Sequence, residues 1–272
     1  MGKHKIYDCI TFFDENILTN LRFEILKDVV DFFIICESKY DHKNRPKKKN
    51  FNLIDKKFKN KIKYILIEDP FPKKLSFWQI EEFQRERLLD ELKEADMDDY
   101  IMYSDSDEIP NPQLLKNFNL KKKFGIFLQN FFVYNINTFN EFETPWEGTR
   151  ICKKKNLKSI THLRKKIKGS NIKNFFRNIL KPKSVELFNN GGWHFNNFYT
   201  PEKISLKLRT FQHTEYAADK YSNVEVIKKK VKNSLDLFGR NRKYKVLENN
   251  DKIPEEIISL YNKIKNISKN EV

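Results

Sequence analysis

Tyr100-Ile101-Met102-Tyr103-Ser104-Asp105-Ser106-Asp107-Glu108-Ile109-Pro110 is the stretch that decides how the chain is read. Its first half is a short apolar run, readable as a buried strand. Three acids within four residues then end the run, and Pro110 and Pro112 stop any continuation. Carboxylates at the carboxyl end of a strand lie where open α/β sheets place their ligands. If the extended path continues, alternation aims Asp105 and Asp107 to the same side. Two hard oxygen ligands there suit Mg²⁺ or Mn²⁺, with a nucleotide diphosphate completing the coordination shell. The plainer alternative is a solvated acidic turn leading into a helix at Pro112.

Outward from this stretch, strand and helix signals alternate. Residues 6–13 are dense in β-formers. Residues 16–27 carry Ile17, Leu18, Leu21, Ile25 and Leu26 at helical spacing. Residues 29–36 are almost continuously apolar, as in a strand covered on both faces, and end in the polar pair Glu37-Ser38. Residues 39–50 read as a basic loop, 62–67 as a third strand, and 75–95 as the longest helix. That alternation predicts a mainly parallel sheet flanked by helices. Further strands are expected over 125–134 and 147–152, whereas 159–180 is basic and gives no clear pattern. Residues 185–198 hold Gly191-Gly192, which permit a backbone other residues resist, and deliver Trp193 and His194 together. A helix is expected from Pro201, then basic C-terminal helices over 219–238 and 255–267. Neither a repeat nor a Pro/Gly linker divides the chain, so one globular domain is expected, with 1–216 as its body and 217–272 as a helical extension packed on it.

Composition narrows the function classes. Of 272 residues 39% are hydrophobic and 24 are Phe, enough for a real core. The formal charge is +16, which attracts phosphates, but Lys and Asn are spread along the whole chain. No run of interleaved aromatics and Arg forms a single-strand platform, so no dedicated nucleic-acid partner is expected; a basic nucleic-acid or membrane-surface binder is the rival reading. Cys9, Cys36 and Cys152 are an odd set without a close pair, pointing to buried thiols rather than a disulfide framework or zinc site. No apolar run approaches the ~18 residues that span a bilayer, and no secretory h-region is present. The expectation is a soluble, cytoplasmic protein without a transmembrane segment, of bacterial or viral source.

Five blocks, in order, resemble glycosyltransferase family 17, the β-1,4-mannosyl-glycoprotein 4-β-N-acetylglucosaminyltransferase group. They are Tyr7-Asp8-Cys9-Ile10-Thr11-Phe12-Phe13-Asp14-Glu15, Val29 through Ser38 with Tyr40-x-His42, Phe83-Gln84-Arg85, Ser104 through Pro110, and Gly191-Gly192-Trp193-His194-Phe195. The resemblance implies a GT-A fold, a Rossmann-like mixed sheet with helices on both faces. It also implies a divalent-metal-dependent (Mn²⁺ or Mg²⁺), inverting transfer of N-acetylglucosamine from a UDP-sugar donor to a glycan hydroxyl. The acceptor would be an oligosaccharide, polysaccharide or glycolipid. By this likeness Asp105 and Asp107 form the metal pair, and His194 is a later metal or diphosphate contact. Phe12, Glu15 and Glu37 lie where such a domain holds uridine, and Arg85 and Asp105 face the donor. Trp146 or Trp193 is a candidate for stacking on a sugar face, with a core tryptophan as the alternative. An inverting displacement also needs a base near the acceptor hydroxyl, and Glu215, Glu147 and Glu108 are the candidates, with Glu215 ranked first. Another nucleotide-sugar donor is the alternative within the same chemistry.

Overall fold

Alternation along the first strands sends their side chains into two separate cores. In the computed structural model, which describes residues 4–168, 184–210 and 216–270, these strands are β1 (Ile6–Phe12), β2 (Phe32–Ser38), β3 (Ile62–Ile67) and β4 (Tyr100–Asp105). They pair in parallel in the order β3-β2-β1-β4. Ile10, Phe33, Ile35 and Met102 point to the face covered by α1 (Asn16–Leu26), where Phe23 and Leu26 meet them. Cys9, Ile34, Cys36, Ile101 and Tyr103 point to the face covered by α2 (Phe77–Glu86). With both faces covered, the strands carry near-continuous apolar runs.

β4 ends at Asp105, the chain turns through Ser106 and Asp107, and β5 (Glu108–Pro110) follows. Asn111 then caps α3 (Pro112–Leu115) by accepting from the Gln113 amide. Beyond it the sheet becomes mixed. β6 (Phe124–Val133) pairs antiparallel with β7 (Thr138–Phe139) and β8 (Trp146–Lys153), and β8 lies antiparallel to β4. After α4 (Ile160–Lys165) come β9 (Val185–Phe188), parallel to β6, and β10 (Gly192–Asn196), wedged between β5 and β6. Then follow α5 (Pro201–Thr210), α6 (Asp219–Ser222), α7 (Val224–Lys232), β11 (Lys245–Val246), paired with β7, and α8 (Glu255–Asn270), packed on α1. The architecture is the mixed, mainly parallel sheet between helices expected of a GT-A fold.

Some elements differ from expectation. The second strand starts at Phe32: the Val29 and Val30 amides bond to the Leu26 carbonyl, and the Asp31 carboxylate takes the Ile6 amide. The long helix ends at Glu86 and tightens into a 3-10 turn over Arg87–Leu92. The expected 219–238 helix breaks at Asn223, whose side chain accepts from the Glu225 and Val226 amides and starts α7. The three cysteines are free and buried, and burial pushes the Cys36 and Cys152 thiols up to about 12. No helix among the described residues is long and apolar enough to cross a membrane.

Candidate active site

The carboxyl ends of β1, β2 and β4 lie at one edge of the sheet, with Phe12 opposite Glu37 and Thr11 opposite Asp105. A cleft of about 410 Å³ opens there. Thr11, Phe12, Phe13 and Glu15 form one end with Ser38, Tyr40 and His42. Asp105, Ser106, Asp107 and His194 line its middle. Asn196 and Asn197 continue it toward Lys207 and Leu208 of α5, with Tyr216, Phe238 and Arg240 closing the far side. Residues beyond 216 therefore supply part of the wall.

The two aspartates do not lie along one extended path. The strand stops at Asp105, which keeps the facing of Tyr103 toward α2 and α4. There Asp105 accepts from the Arg164 guanidinium, and from the Tyr103 hydroxyl at 3.3 Å. Asp107 sits past the turn and faces His194, with Oδ1 3.4 Å from Nε2. The Phe195 amide donates to the Asp107 carbonyl at 2.8 Å, so β10 holds the turn by its backbone. Burial alone would raise the Asp107 carboxyl. The neighbouring His194 imidazole and the Lys207 charge outweigh it and bring the carboxyl down to about 2. Asp105 is also lowered, against its burial, by Arg164 and Arg85. Both groups are carboxylates at neutral pH.

His194 owes its position to the glycines before it. Gly192 has φ +121°, and its strand lies against Ile109, with Gly192 opposite Pro110. A Cβ there would fall on the Ile109 carbonyl oxygen and within 2.7 Å of the Asn111 nitrogen. The imidazole then stacks near Phe131 (centroids 4.2 Å apart) and Trp146 (4.9 Å). Gly192→Ala is expected to destabilise the protein by roughly 2 kcal/mol or more, from left-handed strain and overpacking together. A urea titration of the variant checks this; an unchanged midpoint would show that β5 and β10 do not depend on the close approach.

Several sequence candidates lie outside the cleft. Glu37 is fully buried: it accepts from Lys47 Nζ (2.6 Å), the Asn50 and Phe51 amides and the Tyr64 hydroxyl. Its carboxylate anchors the basic loop and leaves no face for uridine. Glu108 is 0% exposed and accepts from Trp146 Nε1, the Asp105 amide and Arg164, so it cannot meet an acceptor hydroxyl as a base. Glu147 lies beside Arg150, away from the cleft lining. Trp193 is buried in the core with Nε1 donating to the Lys252 carbonyl at 2.8 Å, leaving no face for a sugar. Arg85 sits behind the cleft, donating to the Tyr103 hydroxyl at 2.9 Å and to Glu81, itself a lining residue. Glu15 does line the cleft, with Oε2 taking the Phe13 and Asp14 amides. Glu215 lies outside the described residues. Arg164, by contrast, is a central group that sequence reading passed over inside a uniformly basic segment.

Two carboxylates and an imidazole are a donor set for a hard or borderline divalent cation. His194 Nδ1 is buried without a hydrogen-bond partner. Among the described residues no three His, Cys, Asp or Glu side chains converge into a complete metal cage. Mg²⁺ habitually takes one or two carboxylates and fills its shell from substrate phosphates and water, so the residues present fit an ion that arrives with a diphosphate.

The family model for glycosyltransferase family 17 matches residues 1–248. Comparison with curated proteins returns no match. Among solved structures, glucosyl-3-phosphoglycerate synthase from Mycobacterium tuberculosis, in complex with Mn²⁺, UDP and phosphoglyceric acid, is 11% identical with a TM-score of 0.36, covering 74% of this chain and 73% of that one. A glycosyltransferase involved in glycosylation of the major capsid of PBCV-1 is 10% identical with a TM-score of 0.31, covering 68% and 81%. The inositol-1-phosphate CTP transferase from T. maritima is 12% identical with a TM-score of 0.36, covering 86% and 99%. At such identities and TM-scores no residue role transfers from them.

Proposed function

The chain belongs to glycosyltransferase family 17, and from that premise we propose that it moves N-acetylglucosamine from a UDP donor to a glycan hydroxyl, such as one on mannose, with inversion and with Mn²⁺ or Mg²⁺. The observation that carries the reading is the meeting of Asp105, Asp107 and His194 in one cleft at the carboxyl ends of β1, β2 and β4. Asp107 and Asp105 would hold the ion, with His194 beside them. When bound, the ion supplies Lewis-acid neutralisation of the charge that develops on the departing diphosphate.

The remaining roles belong to the chain. Phe12, Phe13 and Tyr40 offer apolar surface for the nucleoside at the β1–β2 end, and Glu15 fixes that loop through two backbone amides. Lys207, whose charge already reaches Asp107, faces the phosphates. Asp107 stays ionised through the neutral range and so keeps its negative charge for the ion. For the base we retain Glu215, because its neighbour Tyr216 lines the cleft. We keep 1–216 as the catalytic body and 217–272 as the extension, with Phe238 and Arg240 lending the far wall.

Melting the protein with UDP and Mn²⁺ together tests this most directly. At about 100 times the dissociation constant, binding adds about 2.7 kcal/mol to the folded state. For a chain of this size that raises the midpoint by roughly 5–10 °C. UDP release from UDP-N-acetylglucosamine, UDP-glucose and UDP-galactose then ranks the donors. No shift with UDP and Mn²⁺, and no release from any donor, would overturn the proposal.

A further inference from the structure

Arg164 spans two carboxylates. Its Nη2 donates to Asp105 Oδ2, and also to Glu108 Oε1 at 2.7 Å. Its Nη1 donates to Glu108 Oε2 at 3.1 Å and to the Gly148 carbonyl at 3.2 Å. The guanidinium is 11% exposed and Glu108 fully buried, so solvent screens these charges poorly. From the other side Arg85 reaches Asp105 through the Tyr103 hydroxyl. Asp105 thus lies between two fixed cations, whereas the basic group in contact with Asp107 is His194.

This asymmetry has a function in the folded protein before any ligand arrives. Asp105, Asp107 and Glu108 stand within four residues and repel one another, and Arg164, from α4, offsets part of that repulsion at Asp105 and Glu108. The same positive charge opposes a divalent ion approaching Asp105. A diphosphate brings negative charge to the cleft and reverses the balance.

We propose that Arg164 is a built-in counter-ion that makes divalent-cation capture at Asp105 and Asp107 depend on the nucleotide's phosphates. The inference rests on the UDP and metal reading above. Arg164 acts through Asp105 and is a positioning residue. Lys keeps its charge but loses the planar fork; Gln keeps donors but loses the charge.

Mn²⁺ titration followed by the electron paramagnetic resonance signal of the free ion, with and without UDP, separates the possibilities. In the wild-type protein UDP is expected to tighten Mn²⁺ binding by about tenfold or more. Without UDP, Arg164→Gln is expected to bind Mn²⁺ about tenfold more tightly than wild type, and the gain from UDP shrinks correspondingly. Arg164→Lys stays close to wild type. A purely structural role would lower the melting point of both variants without raising affinity for the bare ion. If folded Arg164→Gln binds Mn²⁺ no better than wild type without UDP, the inference is wrong. It is equally wrong if the wild-type protein binds Mn²⁺ as tightly without UDP as with it, a result that needs no variant to fold. Wild-type protein that takes up no Mn²⁺ even with UDP overturns the metal reading and this inference together.

Discussion

Asp107→Ala is expected to remove turnover of the proposed nucleotide-sugar donor while the protein stays folded. Among the described residues the Asp107 side chain pairs with His194, and the turn is held by the Asp107 backbone carbonyl, which accepts from the Phe195 amide. Losing the carboxylate therefore leaves β4, β5 and β10 in register. The loss falls on the charge that would fix the ion against the diphosphate. Removing one group that stabilises developing charge typically lowers the rate by about 10²–10³-fold, and a lost metal ligand belongs at the upper end of that range or beyond. Asp107→Asn is the sharper form, since it keeps the shape and removes only the charge. The check is UDP release with and without a chelator, beside a far-UV spectrum and a melting curve. Full activity that ignores the chelator in Asp107→Ala would refute the role given to Asp107.

The part of the site nearest the sheet was legible because strand chemistry is local. A buried apolar run ending in acids and prolines marks the carboxyl end of β4 whatever surrounds it. The glycine pair before Trp193-His194 likewise announces an unusual backbone, and Gly192 takes it. Other boundaries were not legible, since one apolar stripe serves two geometries. Leu88 and Leu92 are buried in a 3-10 turn as they would be in an α-helix, and Val29 and Val30 are buried in a turn as they would be in a strand. Glu37 and Glu108 lie buried outside the cleft lining, and their burial was not legible for a different reason. A carboxylate after a strand reads the same whether it faces a cleft or four buried donors, and only the fold supplies Lys47, Tyr64, Trp146 and Arg164. Asp8 and Arg22 do leave a signal in the sequence. Each is a charge on an apolar face, one in a buried strand and one on the stripe of α1, and buried charges need partners.

That pair is expected to carry a large stability effect. Arg22 is 0% exposed and Asp8 1%. Arg22 grips both Asp8 oxygens, donates from Nη2 to Ser104 Oγ at 2.8 Å, and bonds from Nη1 to the Glu108 carbonyl. One buried guanidinium thus ties β1 to both flanks of the acidic turn. Arg22→Met leaves a buried carboxylate uncompensated and takes the guanidinium donor from the Glu108 carbonyl. Breaking such a pair by removing one partner costs about 3–5 kcal/mol, which for this length lowers the melting midpoint by roughly 2–4 °C per kcal/mol. The double variant Asp8→Leu/Arg22→Met should recover much of that loss, because the stranded charge goes with its partner. Recovery should be incomplete, since the Glu108 carbonyl still lacks its donor, whereas Ser104 Oγ keeps the Thr149 hydroxyl at 2.7 Å. A double-mutant cycle by urea denaturation measures the coupling. UDP and Mn²⁺ binding should stay weakened even in the recovered double variant, because the turn carrying Asp105 and Asp107 has lost its tie to α1. A single Arg22→Met within about 1 kcal/mol of wild type would mean that water or a neighbour replaces the guanidinium, and that the acidic turn stands without it.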